Sequence, residues 1–124
     1  IVVKNAEAKK KLARAAMNQS FIGQAPVVLV ACATESKAVM TCGHPTYAVD
    51  LSIAFAYMLL QAYELGLGTC WGGFFQAAAT FWPPLQKALD LPKGNVSYGI
   101  MMVGYSKYKY RRMPLRNKPQ VTWK

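Results

Sequence analysis

Histidine and cysteine are scarce in this chain of 124 residues, and their scarcity excludes several kinds of site. His44 is the only histidine, so the sequence offers no Ser/His/Asp set for nucleophilic catalysis. The three cysteines, Cys32, Cys42 and Cys70, include no CxxC pair, which argues against a disulfide framework and a zinc site. Cys42 and His44 lack further ligands at a known metal-site spacing. We therefore expect no metal and a reducing, cytoplasmic location.

Acidic residues are also few, and the chain is strongly basic. Five Asp and Glu stand against 15 Lys and Arg, which gives a formal net charge of +10. An excess of this size favours an anionic partner, such as a phosphorylated cofactor, an acidic protein, a nucleic acid or a membrane surface. The cations are concentrated near the end of the chain, where no acid accompanies them: Lys107, Lys109, Arg111, Arg112, Arg116, Lys118 and Lys124.

The length and the apolar content predict one folded domain that spans residues 1–124. Hydrophobic residues make up 53% of the chain, which argues against disorder. The chain opens Ile1-Val2-Val3-Lys4, without Met and without the pattern of a signal peptide. An apolar, β-branched start is typical of the middle of a protein, so we expect a fragment of something longer.

Hydrophobic patterning predicts alternating helices and strands. The expected strands are Ile1–Val3, Val27–Ala33 and Val96–Val103. Of the expected helices, Ala6–Gln19 has its lysines on a polar face, Thr46–Leu65 starts with Thr46 as N-cap and stops at Gly66, and Phe75–Leu89 flanks Pro83-Pro84. Glu35–Pro45 is expected to be a loop, and the chain after Tyr105 is expected to be irregular apart from a short extended arm, Gln120–Trp123.

The helix Thr46–Leu65 is apolar nearly all round. Its only charges are Asp50 and Glu64. A membrane span needs about 20 apolar residues, and the polar side chains leave the uninterrupted stretch too short. A helix buried on all sides is the better interpretation. In so small a chain, burial of this helix predicts a partner subunit.

The segment Leu65–Phe75 is the most informative part of the sequence. It carries four glycines in eight residues, interleaved with Trp71 and followed by two phenylalanines. Glycine packs nothing and has the largest loss of backbone entropy on folding, so it is useful where backbone must approach a flat ligand closely. An isoalloxazine ring fits that description, since it requires backbone N–H groups and aromatic cover. The alternative is a Gly-capped helix followed by a loop whose aromatic side chains fill the core.

The basic tail offers a phosphate site. Arg forms the better fork for paired phosphate oxygens, and Arg116, with Arg111 and Arg112, has no acidic neighbour. The alternative is a solvated basic face. Tyrosines interleaved with Lys107 and Lys109 could also stack bases, but no RRM, KH or helix-turn-helix signature is present, which argues against nucleic acid.

The order of these pieces resembles the C-terminal two-thirds of the nitroreductase family of FMN flavoproteins. The resemblance is carried by Ala25-Pro26 before a strand, by the block Glu64-Leu65-Gly66-Leu67-Gly68-Thr69-Cys70-Trp71-Gly72-Gly73, and by Leu91-Pro92, Gly104-Tyr105, Pro114-Leu115-Arg116 and Val121-Thr122-Trp123. The tail Gly104–Pro114 is similar to the branch in which a ferredoxin-like module can precede the domain.

The resemblance implies an α+β fold, with a mainly antiparallel sheet flanked by helices, in an intertwined homodimer. The helix Thr46–Leu65 would lie at the dimer interface. Trp71, Gly72 and Gly73 would present backbone to FMN, and Arg116, with Arg112, would hold its phosphate. No side chain is assigned as catalytic, because the flavin carries the chemistry. Electrons would pass from NAD(P)H or a similar donor, including a ferredoxin-like domain or partner, to a nitroaromatic, quinone or related acceptor.

One departure from the family keeps alternatives open. The family's N-terminal phosphate motif and its flavin loop have no counterpart in this sequence, which begins at the strand after both. Two other classes of protein therefore remain. One is a non-catalytic, nitroreductase-like scaffold without flavin, and the other is a basic binding module.

Overall fold

The computed structural model describes residues 1–34, 38–72, 87–92, 94–109, 111–112 and 114–124. Within these ranges the helices and strands follow one another as β1 (Val2–Val3), α1 (Ala6–Ala15), α2 (Ser20–Gln24), β2 (Val27–Thr34), α3 (Thr46–Glu64), β3 (Gly68–Gly72) and β4 (Asn95–Gly104). The four strands form one sheet in the order β1-β2-β4-β3, and each pair is antiparallel. The expected α+β fold with a mainly antiparallel sheet is confirmed.

The two central strands, β2 and β4, are covered on both faces. Val28 and Ile100 are buried on the side of α1 and α2, while Ala31 and Met101 are buried on the side of α3. The pairing shifts between Ala31 and Cys32, so one residue of β4 bulges out of the ladder. The continuous β-branched run of β2 is covered on both faces as the sequence predicted, and β4 lies where a second buried strand was expected.

Helix α1 forms where an apolar stripe follows a capping residue. The Asn5 side chain accepts a hydrogen bond from the Ala8 N–H at 2.9 Å, which satisfies a free donor of the first turn. Leu12 is buried against the sheet. The predicted extent to Gln19 was too long, because Met17 and Asn18 adopt positive φ angles of 59° and end the helix at Ala15.

Helix α3 ends as its sequence predicted. Gly66 has a φ of +71°, its N–H donates to the Tyr63 carbonyl at 2.9 Å, and the Leu67 N–H donates to the Ala62 carbonyl at 2.8 Å. This pair of bonds is the Schellman arrangement that glycine favours at a helix end. The start differs from the prediction. Thr46 is the first helical residue rather than the N-cap, and its hydroxyl donates to the Ala38 carbonyl at 3.3 Å.

One side of α3 packs on the sheet and the other faces outward. Phe55 and Ala62 are buried against the strands. The apolar side chains exposed on the outward side are Val49, Ile53, Tyr57, Met58, Leu60 and Tyr63. The expected burial on all sides is therefore not achieved within one protomer. None of the helices formed by the described residues is long and apolar enough to cross a membrane.

Strand β3 was not predicted from the sequence, where a loop after the Gly-capped helix was the alternative interpretation of this segment. Gly68 pairs with Gly104 and Gly72 pairs with Ile100 along the edge of the sheet. Glycine is depleted in strands, so composition hid this element. The predicted helix Phe75–Leu89 lies mostly outside the described residues, and only residues 87–89 of it are described, as helical.

Candidate functional site

The Gly-rich segment forms an edge strand of the described sheet. In the order β1-β2-β4-β3, strand β3 is hydrogen-bonded to β4, and no other described strand pairs with it. Backbone groups in an antiparallel ladder alternate in direction, so half of the N–H and C=O groups of β3 point away from β4. No residue from Gly68 to Gly72 is charged. Within the described residues, the outer edge of β3 is therefore a row of backbone donors and acceptors on a strand that carries no charge.

Trp71 contributes its side chain to the core rather than to an open site. Its ring meets Phe55 edge-on, with centroids 5.0 Å apart and planes at 87°. Its indole nitrogen lies 3.2 Å from the position that a Cβ on Gly99 would take, so Gly99 gives the ring its space. An edge-to-face pair of this kind fixes the ring against α3. The Trp71 side chain is thus partly buried in the core, and its role toward a ligand stays a prediction.

Gly72 is required for a reason that the sequence did not reveal. A Cβ on this residue would lie 2.7 Å from Cγ1 of Ile100, a side chain with no exposed surface. The glycine at this position therefore lets β3 and β4 close on a packed isoleucine. The third predicted backbone contact, Gly73, lies outside the described residues.

The predicted phosphate ligands, Arg112 and Arg116, are exposed in an irregular stretch of the tail. Among the described residues, no hydrogen bond or ion pair engages either guanidinium, and the one salt bridge joins Lys10 to Glu7 at 2.9 Å. That bond also lowers the pKa of Glu7. Both arginines are thus available to bind an anion, and no hydrogen bond among the described residues joins either of them to Trp71 or Gly72.

The remaining titratable candidates do not converge. Cys42 and Cys70 are exposed, and Cys32 is half-buried, with burial raising the pKa of its thiol. The described part of the chain has no group of three or more His, Cys, Asp or Glu that could hold a metal ion. Asp50 and Glu64 lie on exposed positions of α3. These side chains therefore provide no assembled acid–base or metal site.

Lys9 has a structural role that the sequence did not reveal, since its pattern placed the lysine on the polar face of α1. Its side chain is only 8% exposed, and Nζ donates to the carbonyls of Ala25 at 2.6 Å and Pro26 at 3.1 Å. Buried ammonium groups need such partners. The two bonds tie α1 to the turn before β2. A Cβ on Gly104 would lie 2.8 Å from the Pro26 ring, so this turn also packs on the end of β4.

Comparisons with known proteins agree with this architecture. The sequence model of the Nitroreductase family matches residues 1–105. A protein of Methanothermobacter thermautotrophicus, provisionally named an NADH dehydrogenase/NAD(P)H nitroreductase, is 27% identical over 106 residues, which cover 85% of this chain and 53% of that protein. The chain therefore spans about half the length of the curated relative that it matches.

Two solved structures show the same fold. The FMN-dependent nitroreductase of Clostridium difficile R20291 superimposes with a TM-score of 0.74 at 27% identity, over 92% of this chain and 66% of that one. The NfrA2 protein of B. megaterium gives a TM-score of 0.70 at 29% identity, over 92% and 52% of the two chains. With the antiparallel sheet, the edge strand β3 and the family match over residues 1–105 in agreement, the chain belongs to the nitroreductase family.

Proposed function

We propose that this chain is the flavin-binding part of an FMN-dependent oxidoreductase that passes electrons from NAD(P)H to a nitroaromatic, quinone or related acceptor. Family membership is the observation that carries the proposal. One structural relative is named as FMN-dependent, and the curated relative's name includes NAD(P)H. When bound, FMN supplies the hydride chemistry, and the protein supplies position and electrostatics.

The residues of β3 fit a flavin at their free edge. Trp71, Gly72 and Gly73 would present backbone to the isoalloxazine, and the first two belong to a strand whose outer side pairs with no other described strand. Ring nitrogens and carbonyls need such donors and acceptors. The Trp71–Phe55 pair and the Ile100 contact fix the position of this backbone. A fixed edge orients a flat ring without a rearrangement of the protein.

Arg116, with Arg112, would hold the FMN phosphate. A guanidinium binds paired phosphate oxygens through two parallel hydrogen bonds. Both side chains are exposed, and neither is engaged by an acid among the described residues. The proposal requires the tail to bring a guanidinium to a flavin site, either its own or that of a second copy.

We further propose that two copies pair through the outward side of α3. Six large apolar side chains are exposed there, and a contiguous patch of this kind marks an interaction site. Two flavins would then lie between the subunits. We place the protein in the cytoplasm. A ferredoxin-like domain or partner is an alternative electron donor, and it would suit the basic tail.

The alternative function is a nitroreductase-like scaffold or basic binding module that binds no flavin. Among the described residues no hydrogen bond brings the exposed Arg112 or Arg116 to β3, which favours it. The two functions differ in cofactor content, so the test is the visible spectrum of the purified chain, with the released cofactor identified by mass. An oxidised-flavin spectrum with FMN near one per chain supports the oxidoreductase. A colourless protein that takes up no added FMN supports the scaffold.

The phosphate assignment has its own matched test. Arg116→Ala should weaken FMN binding about tenfold or more, because it removes a charge-assisted bidentate contact. Lys124→Ala removes the same charge from the same tail and should leave FMN affinity unchanged. Titration of apoprotein with FMN measures both. Equal losses in the two variants would mean that a diffuse basic field holds the phosphate, and the assignment of Arg116 would then be wrong.

A further inference from the structure

A groove of about 220 Å³ lies at the end of the sheet where β3 begins and β4 ends. Ala25 and Pro26 form one wall, Gly68 to Cys70 form another, and the residues after β4 close it. The Lys9 ammonium holds the Ala25–Pro26 wall through two carbonyls, and Pro26 packs against Gly104. Two of its walls are therefore fixed by buried contacts of the fold.

Two tyrosine rings line this groove and keep their faces open. Tyr105 is 80% exposed and Tyr108 is 82% exposed. The Ser106 hydroxyl donates to the Tyr108 carbonyl at 2.9 Å and accepts from the Tyr108 N–H at 3.3 Å. This local turn fixes the backbone between Ser106 and Tyr108 although the segment has no regular secondary structure. Open aromatic faces of this kind can stack on nucleobases.

The charge around the groove suits an anion. Lys107 lies between the two tyrosines and lines the same groove, while none of the described lining residues is acidic. Lys109 and Arg111 follow within four residues and are exposed. No ion pair of the described residues engages any of these cations. An aromatic platform beside unpaired cations is the combination that holds a base and its phosphate.

The size of the groove limits the ligand. Pockets for whole drug-sized ligands are about 300–1,000 Å³, so this groove takes one base with its sugar rather than a complete dinucleotide. We propose that it binds a purine nucleotide, the adenylate half of the nicotinamide donor. The assignment of this nucleotide to the nicotinamide donor rests on the proposed function. Four residues of extended strand, about 13 Å, separate Gly68 in the groove from Gly72, which leaves space between the two for the rest of a dinucleotide.

The chain carries its own probe of this site. Cys70 lines the groove and is exposed, whereas Cys42 is exposed in the loop before α3. We expect 5′-AMP to slow the alkylation of Cys70 by iodoacetamide at least severalfold and to leave Cys42 unchanged, as measured by peptide mass spectrometry. 2′,5′-ADP should protect at lower concentration because of its second phosphate. Equal rates at Cys70 with and without saturating nucleotide would overturn the proposal.

Substitutions identify the groups that hold the nucleotide. Tyr108→Ala should raise the AMP concentration that half-protects Cys70 about tenfold, whereas Tyr108→Phe keeps the ring and should retain protection. Lys107→Gln should weaken protection similarly, and Lys11→Gln, which removes the same charge from α1, should not. Equal effects of the two lysine variants would overturn a local site.

FMN content measured in the same samples separates this proposal from the proposed function. Loss of FMN in parallel with loss of AMP protection would place Tyr108 and Lys107 in the flavin site and overturn the groove. Protection by AMP in a chain that binds no FMN would support the groove and remove the oxidoreductase. Bound FMN in a chain whose Cys70 is not protected by AMP would support the oxidoreductase and overturn the groove.

Discussion

The two long helices pack on opposite faces of one sheet, and their apolar side chains are buried to different degrees. On α1, Leu12 is 1% exposed, as is the C-cap residue Ala16, and even Lys9 of this helix is buried and hydrogen-bonded. On α3, a helix almost twice as long, Phe55 and Ala62 are buried while six large apolar side chains remain exposed.

The difference shows what each helix requires. Helix α1 has a polar face for solvent and an apolar face for the sheet, so its own chain satisfies it. Helix α3 has apolar side chains in nearly every direction, and a single sheet covers only one side. Exposed apolar surface of that kind marks an interaction site. The buried side chains of α1 therefore stabilise the single chain, whereas the proposed pairing of two copies would cover the outward side of α3.

The largest expected effect on stability comes from the buried face of α1. Leu12→Ala should lower the free energy of unfolding by about 2–5 kcal/mol, because it leaves a cavity among packed neighbours. Leu60→Ala is the matched variant on α3, where the side chain is 67% exposed, and it should change protomer stability by less than about 0.5 kcal/mol. Urea unfolding at a protein concentration at which the chain is monomeric measures both. Similar losses would then mean that the Leu60 side of α3 is packed within the single chain.

A smaller effect is expected at the edge strand. Gly72→Ala should destabilise the fold by about 1–3 kcal/mol, because the added Cβ meets Ile100 in a packed core. Gly23→Ala is the control. Gly23 lies on α2, and its added Cβ would lie 3.9 Å from the nearest atom, the Cβ of Ala13. The change should stabilise the fold by about 0.5–1 kcal/mol.

Thermal unfolding of the two glycine variants decides between two roles of Gly72. If Gly72→Ala unfolds like the parent chain yet loses FMN, the glycine serves only the approach of the ring. If stability falls as expected, loss of FMN alone would say nothing about where the ring lies.

The elements that the sequence predicted well are those with a repeating or self-contained signal. The β-branched run Val27–Ala33 and the helix end at Gly66 depend on residues close in sequence, and the structure agrees to within one residue. Strand β3 was missed because its glycines depend on pairing partners in β4, which lie about thirty residues further along the chain. The end of α1 was missed because Met17 and Asn18 take a backbone conformation that favours glycine.

The candidate site divides in the same way. Composition alone pointed to Trp71 and Gly72, but it could not tell that the indole belongs to the core or that Ile100 requires the glycine. Lys9 looked like one of several solvated lysines, and only the turn at Ala25 and Pro26 shows its role. The tyrosine–lysine alternation was visible in sequence, whereas the groove that it lines depends on three separate segments.

The most selective test of the difference between α1 and α3 leaves the stability of the protomer almost unchanged. Leu60→Lys places a charge on the outward side of α3, and in a two-fold pairing the same charge would be introduced on both copies. We expect the unfolding free energy of the protomer to change by less than about 0.5 kcal/mol while association weakens by tenfold or more, as measured by sedimentation velocity across a concentration series. Met17→Lys is the control, since Met17 is also exposed but lies at the end of α1. Equal weakening by both variants would mean that added charge, rather than the α3 surface, controls association. A parent chain that stays monomeric at every concentration would show that the apolar side of α3 is not covered by a second copy.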